Sequence, residues 1–188
     1  AIVYNQLSHV QDLPIGWTDQ QEAGLYRLKK RDDNAYFGFN VGPHSWKKYL
    51  FPPRERLWQA QKTESGIQIQ SDNTAPTKYA FIGVRACEIA AIDIQDTVFG
   101  GKEFTDPHYK NRRENILIIA VNCSQAASTC FCTSMETGPN VHDGYDLALT
   151  EILESENHHF LVTAGSEAGE AFLKQLPHRN ATFEEVMH

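Results

Sequence analysis

Two nearly continuous apolar runs constrain the fold of this chain more than any other feature. KYAFIGV at residues 78–84 and NILIIAV at residues 115–121 have the length of strands and lack an alternation of apolar and polar residues. Such runs are typical of strands that are buried on both faces, as in parallel sheets. The first run is followed at once by CEIAAIDIQDTVF, in which apolar residues recur at helical spacing, so a strand passes directly into a helix.

The rest of the chain extends this alternation of strands and helices. HHFLVTAG predicts a strand, and DLALTEILES fits a strand or a helix, of which we favour the strand. HYKNRRE predicts a short helix, and SEAGEAFLKQL predicts an amphipathic helix capped by Ser166. Upstream, AYFGFNVGP and GIQIQ predict strands, SWKKYL begins a helix with Ser45 as a candidate N-cap, and ERLWQAQ predicts one or two helical turns. We therefore predict an α/β fold with a mixed, partly parallel sheet flanked by helices.

Length and composition indicate an ordinary globular domain. The 188 residues suit one α/β domain at 41–188, with residues 1–40 as a polar amino-terminal segment of the same domain. A net charge of −7 argues against nucleic-acid binding, and no apolar run approaches the roughly 18 residues of a membrane span. The chain opens without the pattern of an export signal, so we expect a cytoplasmic protein. In that compartment, clustered cysteines are more often metal-binding or redox-active than disulfide-bonded.

The four cysteines are placed so that they can meet. Cys87 follows the first buried strand at the start of a helix, and Cys123 ends the second buried strand. Ligands of open α/β sheets collect at the carboxyl ends of strands, so neighbouring strands would bring both thiols to one crevice. Cys130 and Cys132 lie in the loop that begins there. We also expect the helix N-terminus to favour the thiolate form of Cys87.

Several occupants suit this spacing of C-x35-C-x6-C-x-C. Four thiolates can hold a [4Fe–4S] cluster or a structural zinc ion. Zinc prefers paired C-x(2–4)-C motifs, and this chain has none, so the order from spacing is cluster, then zinc, then thiol redox chemistry. The alternative is that these are unrelated buried cysteines. For a cluster, we expect the four sulfurs to lie within one site about 7 Å across.

Arginines could tune such a site, but a self-contained active site is not visible. Arg85 stands two residues before Cys87, at the end of a buried strand, where a guanidinium needs a partner. Arg112 and Arg113 could stabilise an anionic cluster as well, or simply solvate a loop. The sequence contains no G-x-S-x-G, H-E-x-x-H or G-x-G-x-x-G motif. We therefore expect a non-catalytic component.

Three segments carry a resemblance to a known family. GVRACEIAAIDIQDTVF, DPHYKNRRENILIIAVNC and TCFCTSMETGP, followed by GYDLALTE, resemble the amino-terminal region of the iron–sulfur electron-transfer subunits of cytoplasmic hydrogenases and sulfite reductases. SWKKYLFPPRERLW is similar to the upstream segment, and the match extends from roughly Gly42 to Glu151. The cysteines match residue by residue, whereas Glu88 stands where the family often has Asp. That the four cysteines hold a cluster is our inference from their spacing.

The resemblance implies a subunit that relays electrons. Its partners would be a flavin-containing, NAD(P)-linked subunit and the catalytic subunit of a hydrogenase or of a sulfite or sulfur reductase. Members of the family continue into a carboxyl-terminal ferredoxin-like part with two C-x2-C-x2-C-x3-C-P runs, which this sequence lacks. We thus expect an electron-transfer domain that binds one [4Fe–4S] cluster. The alternative is a non-catalytic docking module with a structural zinc or a metal-free cysteine site.

Overall fold

A computed structural model describes residues 1–42, 44–71, 77–101, 103–154 and 157–187. The strands are β1 (Trp17–Glu22), β2 (Leu25–Lys30), β3 (Trp58–Thr63), β4 (Gly66–Ser71), β5 (Tyr79–Val84), β6 (Ile116–Val121), β7 (Leu147–Glu154) and β8 (Asn157–Ala164). The helices are α1 (Lys47–Leu50), α2 (Ala86–Phe99), α3 (Pro107–Arg113), α4 (Glu167–Leu173) and α5 (Phe183–Met187), and a 3-10 turn spans Val10–Asp12.

The central sheet has four strands in the order β5-β6-β7-β8. The pairs β5–β6 and β6–β7 are parallel, whereas β7 and β8 form an antiparallel pair. Helix α2 connects β5 to β6 together with α3, as the buried apolar runs of the two strands predict. The predicted α/β fold with a mixed, partly parallel sheet is therefore confirmed.

Strand β6 is apolar throughout because both of its faces are covered. Ile118 and Ala120 belong to a core cluster that includes Ile89 and Ile92 of α2. Val121 belongs to a second cluster, which contains Ile2, Phe37 and Phe39. The first cluster also includes the aromatic and aliphatic side chains of α1 and of the segments beside it, namely Tyr4, Trp46 and Leu50. The amino-terminal segment thus packs against the sheet and shields it from water.

The segment 35–42 is not a strand, contrary to the sequence-based prediction. It runs through bends, and side chains bind its main chain where a neighbouring strand would otherwise do so. The Glu151 carboxylate accepts hydrogen bonds from the N–H groups of Tyr36 (2.6 Å) and Phe37 (2.9 Å). The alternating aromatic pattern arises because Phe37 and Phe39 are buried in the core next to β6. Pro43, the last residue of the predicted strand, lies outside the described residues.

Two further local predictions are corrected. Residues 58–63 form β3 instead of helical turns, because their main chain pairs with β4 from Trp58 opposite Ser71 to Thr63 opposite Gly66. Helix α1 has Trp46 at its N-cap position, although the Ser45 hydroxyl accepts a hydrogen bond from the Lys47 N–H at 3.2 Å. The predicted cap of α4 is confirmed, since the Ser166 hydroxyl accepts from the Gly169 N–H at 3.0 Å.

Candidate metal centre

Cys87 and Cys123 lie beyond the carboxyl ends of neighbouring parallel strands. Cys87 is in the first turn of α2, directly after β5, and Cys123 is two residues after the end of β6. This is the arrangement that the two buried runs predict, and it is the edge of the sheet where α/β proteins place their ligands. The loop that carries Cys130 and Cys132 starts from the same edge.

A backbone irregularity in β5 sets the approach to α2. Gly83 has a φ of 86°, a value that side-chain-bearing residues rarely adopt, and the β5–β6 register shifts between Ile82 and Val84. A Cβ on Gly83 would also lie 3.3 Å from the ring of Phe37. Past this bulge, Glu88 closes the helix N-terminus by accepting the Arg85 N–H at 2.8 Å. Burial raises the pKa of the Glu88 carboxyl to about 7, and this hydrogen bond opposes the shift.

The four thiols share one neighbourhood. The pKa of Cys87 is raised, and burial is the largest cause of this shift. The charges of Cys123, Cys132 and Cys130 raise the pKa of Cys87 further. The Cys132 Sγ lies 3.2 Å from the position that a Cβ on Gly138 would take, and the same position is 3.4 Å from Ala86. Gly138 therefore leaves room for Cys132 beside the start of α2. Whether the four sulfurs lie within about 7 Å of one another stays a prediction.

The thiols are also open to solvent. Cys87 and Cys130 are exposed, and Cys123 and Cys132 are half-buried. The main chain of their loop is folded into turns, with the Cys130 Sγ accepting a hydrogen bond from the Ala127 N–H at 3.3 Å. Phe131, between the last two cysteines, is 68% exposed.

The helix N-terminus was expected to favour the thiolate form of Cys87, but burial and the neighbouring thiols outweigh that effect. Burial and three neighbouring thiols raise its pKa above the ordinary value of a thiol. Burial likewise raises the pKa of Cys123, and the nearby Arg85 guanidinium only partly opposes this shift. A reactive thiol of the redox-enzyme kind needs a lowered pKa, so neither residue has that property.

Arg85 supplies a buried positive charge next to these thiols. The residue is 7% exposed, and its guanidinium donates to the carbonyl oxygens of Phe37 (2.7 Å), Phe39 (3.0 Å) and Asn122 (3.4 Å). Burial lowers the pKa of Arg85, whereas the charges of Cys123 and Cys87 raise it. The guanidinium carbon also lies 5.7 Å from the centre of the Phe39 ring.

Arg85 differs in its ionic partners from the other two candidate arginines. Arg112 pairs with Glu55, and Arg113 pairs with Asp96 at 3.0 Å, so carboxylates already compensate both. Within the described ranges, no carboxylate lies in salt-bridge distance of Arg85. Three carbonyl dipoles and the thiols are its close neighbours. A buried cation of this kind is stabilised best when those thiols are ionised.

The four cysteine thiols are of the ligand type that holds an iron–sulfur cluster. Four thiols become thiolates when they bind metal, and the buried Arg85 guanidinium would offset part of the resulting negative charge. In the described part of the chain, no group of three or more His, Cys, Asp or Glu side chains is arranged as a ready-made site for a metal ion. The fit therefore rests on the identity, proximity and electrostatics of these residues.

Comparisons with known proteins add no family to this description. Family models, curated proteins and solved structures were all searched, and none matches this chain. The fold and the site define an α/β protein with a partly parallel sheet and a group of cysteines at the carboxyl ends of β5 and β6. No helix among the described residues has the length and apolar character needed to cross a membrane.

Two polar side chains that support the site were not singled out from the sequence. Glu151 binds the main chain of residues 36 and 37, whose segment in turn receives the Arg85 guanidinium. Gln125 lies in the loop from Cys123 to Cys132, here called the cysteine loop. It joins this loop to the amino-terminal hairpin of β1 and β2 by donating to the Thr18 hydroxyl at 2.7 Å. Glu151 lies within a predicted strand, and nothing in the sequence indicated that its carboxylate is buried and therefore requires partners.

Proposed function

We propose that this chain is an electron-transfer domain that binds one [4Fe–4S] cluster through Cys87, Cys123, Cys130 and Cys132. The observation that carries the proposal is the buried Arg85 guanidinium, which faces thiols and has no carboxylate partner among the described residues. Burying a guanidinium is costly unless polar or charged groups compensate it, and three carbonyl oxygens with the more distant Glu151 carboxylate do so only in part. Bound iron would ionise the thiols and compensate Arg85.

The electrostatics of the site support a redox role for the bound group. A cluster held by four thiolates carries net negative charge, and hydrogen bonds and nearby cations tune its potential. The cluster, when bound, supplies the ability to take up and release an electron. The protein positions the thiols through α2 and the cysteine loop, and Arg85 adds a fixed positive charge. Since Cys87 and Cys130 are exposed, the bound group would lie near the surface, where a partner can approach.

The proposed partners follow from the resemblance of the three cysteine-bearing segments to hydrogenase and sulfite reductase electron-transfer subunits. Electrons would pass between a flavin-containing, NAD(P)-linked subunit and a hydrogenase or reductase catalytic subunit in the cytoplasm. The net charge of −7 fits protein partners better than nucleic acid. The domain itself makes no bonds to substrate in this proposal.

A docking module is the second candidate, and the β3–β4 hairpin is the observation that favours it. The hairpin pairs only with itself in the described sheet topology, and the large side chains of Trp58, Ile67 and Ile69 are exposed. A two-stranded hairpin is marginally stable alone, so an apolar partner surface would stabilise it. In this reading the cysteines hold zinc or no metal.

Anaerobic reconstitution with iron and sulfide separates the two candidates. We expect about four iron atoms per chain, because one cuboidal cluster requires that number. The reduced protein should then give the EPR spectrum of a [4Fe–4S] centre, whereas a zinc module should bind about one zinc and stay EPR-silent. A reconstituted chain that retains zinc but no iron would contradict the electron-transfer proposal.

The charge of Arg85 is expected to raise the reduction potential of the bound cluster. Arg85→Leu should lower the potential by about 100 mV, since unit charges about 7 Å apart interact by roughly 2.4 kcal/mol at an effective dielectric near 20. The measurement is an EPR-monitored redox titration of samples with equal iron content. Arg85→Lys keeps the charge and should retain most of the potential, although it loses the planar fork.

A second arginine provides the matched control for this titration. Arg113→Leu removes a charge that Asp96 already compensates, so the potential should stay within a few millivolts of the parent value. Equal potentials in Arg85→Leu and the parent would leave Arg85 with only its structural hydrogen bonds to Phe37 and Phe39.

A further inference from the structure

The Gln125 side chain ties the cysteine loop between Cys123 and Cys130 to the amino-terminal hairpin. Its amide nitrogen donates to the Thr18 hydroxyl at 2.7 Å, and its amide oxygen accepts from the Arg31 guanidinium at 2.5 Å. Thr18 lies on β1, and Arg31 follows β2 directly. One half-buried glutamine thus uses both ends of its amide to join two segments that lie about 100 residues apart in the chain.

Arg31 is held in place on its other side, so it offers Gln125 a fixed partner. Its guanidinium binds the Asp33 carboxylate through two hydrogen bonds of 2.6 Å, and it donates to the Gly38 carbonyl at 3.3 Å. The Asp33 carboxylate raises the pKa of Arg31, which therefore stays charged. A Cβ on Gly38 would lie 2.8 Å from the guanidinium, so glycine permits this close approach.

Two further hydrogen bonds hold the loop to the amino-terminal region. The Asn40 side chain donates to the Gln125 carbonyl at 3.4 Å, and the Ser128 hydroxyl donates to the Gln21 carbonyl on β1. The buried Asp19 of β1 in turn accepts from the N–H of Asn40. The loop that separates Cys123 from Cys130 is therefore attached at two points to residues 18–40.

We propose that Gln125, held by Thr18 and Arg31, is the positioning residue that sets where the thiols of Cys130 and Cys132 lie. This inference rests on the proposed function for its purpose, since the position of a thiol matters most when it binds a cluster. The loop has little apolar anchoring of its own, because Ser128, Cys130 and Phe131 are all exposed. Hydrogen bonds to the hairpin thus replace side-chain packing as the source of order.

Gln125→Leu tests the positioning role of Gln125, first in the metal-free protein. The variant keeps the size of the side chain and removes both hydrogen bonds, so the loop should open more often. We expect Cys132, which is half-buried, to react with iodoacetamide about tenfold faster than in the parent, as measured on its peptide by mass spectrometry. Cys87, on α2, serves as the internal reference and should react at its parent rate.

The control and the rescue variant separate positioning from general stability. Gln61→Leu makes the same change on the exposed strand β3 and should leave all alkylation rates at parent values. Gln125→Glu keeps an acceptor for Arg31, so the alkylation rates should fall back towards those of the parent. An unchanged alkylation rate for the half-buried Cys132 in Gln125→Leu would overturn the positioning role of Gln125.

Iron-loaded protein then tests what positioning by Gln125 does for the cluster. Gln125→Leu should lose iron to a chelator about tenfold faster than the parent and give altered EPR g-values, because two ligands have shifted. A parent-like EPR spectrum with parent-like iron release would overturn the positioning role. A parent chain that takes up no iron would contradict the proposed function, and the alkylation rates would then decide the positioning role of Gln125 by themselves.

Discussion

Cys123→Ser and Cys130→Ser are each expected to retain less than about one iron atom per chain after anaerobic reconstitution, against about four in the parent. The physical reason is that thiolates bind the irons of a [4Fe–4S] cluster directly, and a serine hydroxyl is a poor substitute at neutral pH. Cys87→Ser and Cys132→Ser should lose iron to a similar extent. The measurement is the content of iron and of acid-labile sulfide per chain, with absorption spectra of the same samples.

The matched control for the cysteine series lies in the same loop. Ser134 is exposed and two residues beyond Cys132, so Ser134→Ala should bind as much iron as the parent. Circular dichroism should show the same fold for all variants, because none of the four thiols belongs to the buried hydrophobic clusters. If Cys130→Ser holds as much iron as the parent, Cys130 is not a ligand and the four-thiolate site is wrong.

Glu151→Leu is expected to lower the free energy of unfolding by about 3 kcal/mol or more. The Glu151 side chain is 1% exposed. Its carboxylate accepts hydrogen bonds from the main-chain N–H groups of Tyr36 and Phe37, and it lies 2.8 Å from His158 Nε2. Leucine would leave two buried N–H donors without a partner, at a cost of roughly 1–3 kcal/mol each. It would also remove the negative charge that acts on the buried Arg85. Urea denaturation monitored by tryptophan fluorescence measures the change.

Two variants on the same strand define the cause of this loss. Glu151→Gln keeps one acceptor oxygen in place and should cost less than Glu151→Leu. Glu154→Leu changes an exposed glutamate of β7, and its effect should stay within about 0.5 kcal/mol. A Glu151→Leu protein as stable as the Glu154→Leu protein would show that the segment 36–37 needs no side-chain acceptor.

The central sheet illustrates what hydrophobic patterning predicts well. The runs 78–84 and 115–121 predict strands buried on both faces, and they are the neighbouring parallel strands β5 and β6. Strand β6 is covered as predicted, whereas β5 lies at the edge of the sheet and leaves Tyr79 and Ile82 exposed, so its burial on both faces was wrongly predicted. That placement brings Cys87 and Cys123 to one edge of the sheet, as the sequence predicts. The helix between the strands and the cap at Ser166 follow from local periodicity and capping chemistry, which act within a few residues.

The aromatic segment 35–42 shows where the same patterning fails. Its alternation of large and small side chains is that of a strand, and Phe37 and Phe39 are indeed buried. The backbone, however, is bound by two side chains that are distant in the chain. Glu151 is at least 114 positions from the residues it binds, and Arg85 is at least 46 positions from its own. A buried main chain satisfies its hydrogen bonds with whichever partner tertiary packing supplies, and no local pattern encodes that partner. The sequence also predicts helical turns where β3 lies, and the reason for this error is related. The main chain of β3 pairs with β4, and that pairing sets its conformation.

The sequence by itself determined the class of the fold, the strands that carry the cysteines and the four thiols as the candidate metal ligands. Those features depend on residue type and short-range periodicity. Only the tertiary structure decided that Arg85 is buried against the thiols without a carboxylate partner in the described residues, while Arg112 and Arg113 have theirs. It also decided that Gln125 joins the cysteine loop to the amino-terminal hairpin. Burial and long-range hydrogen bonds set the electrostatics of a site, and both arise only when distant segments of the chain pack together.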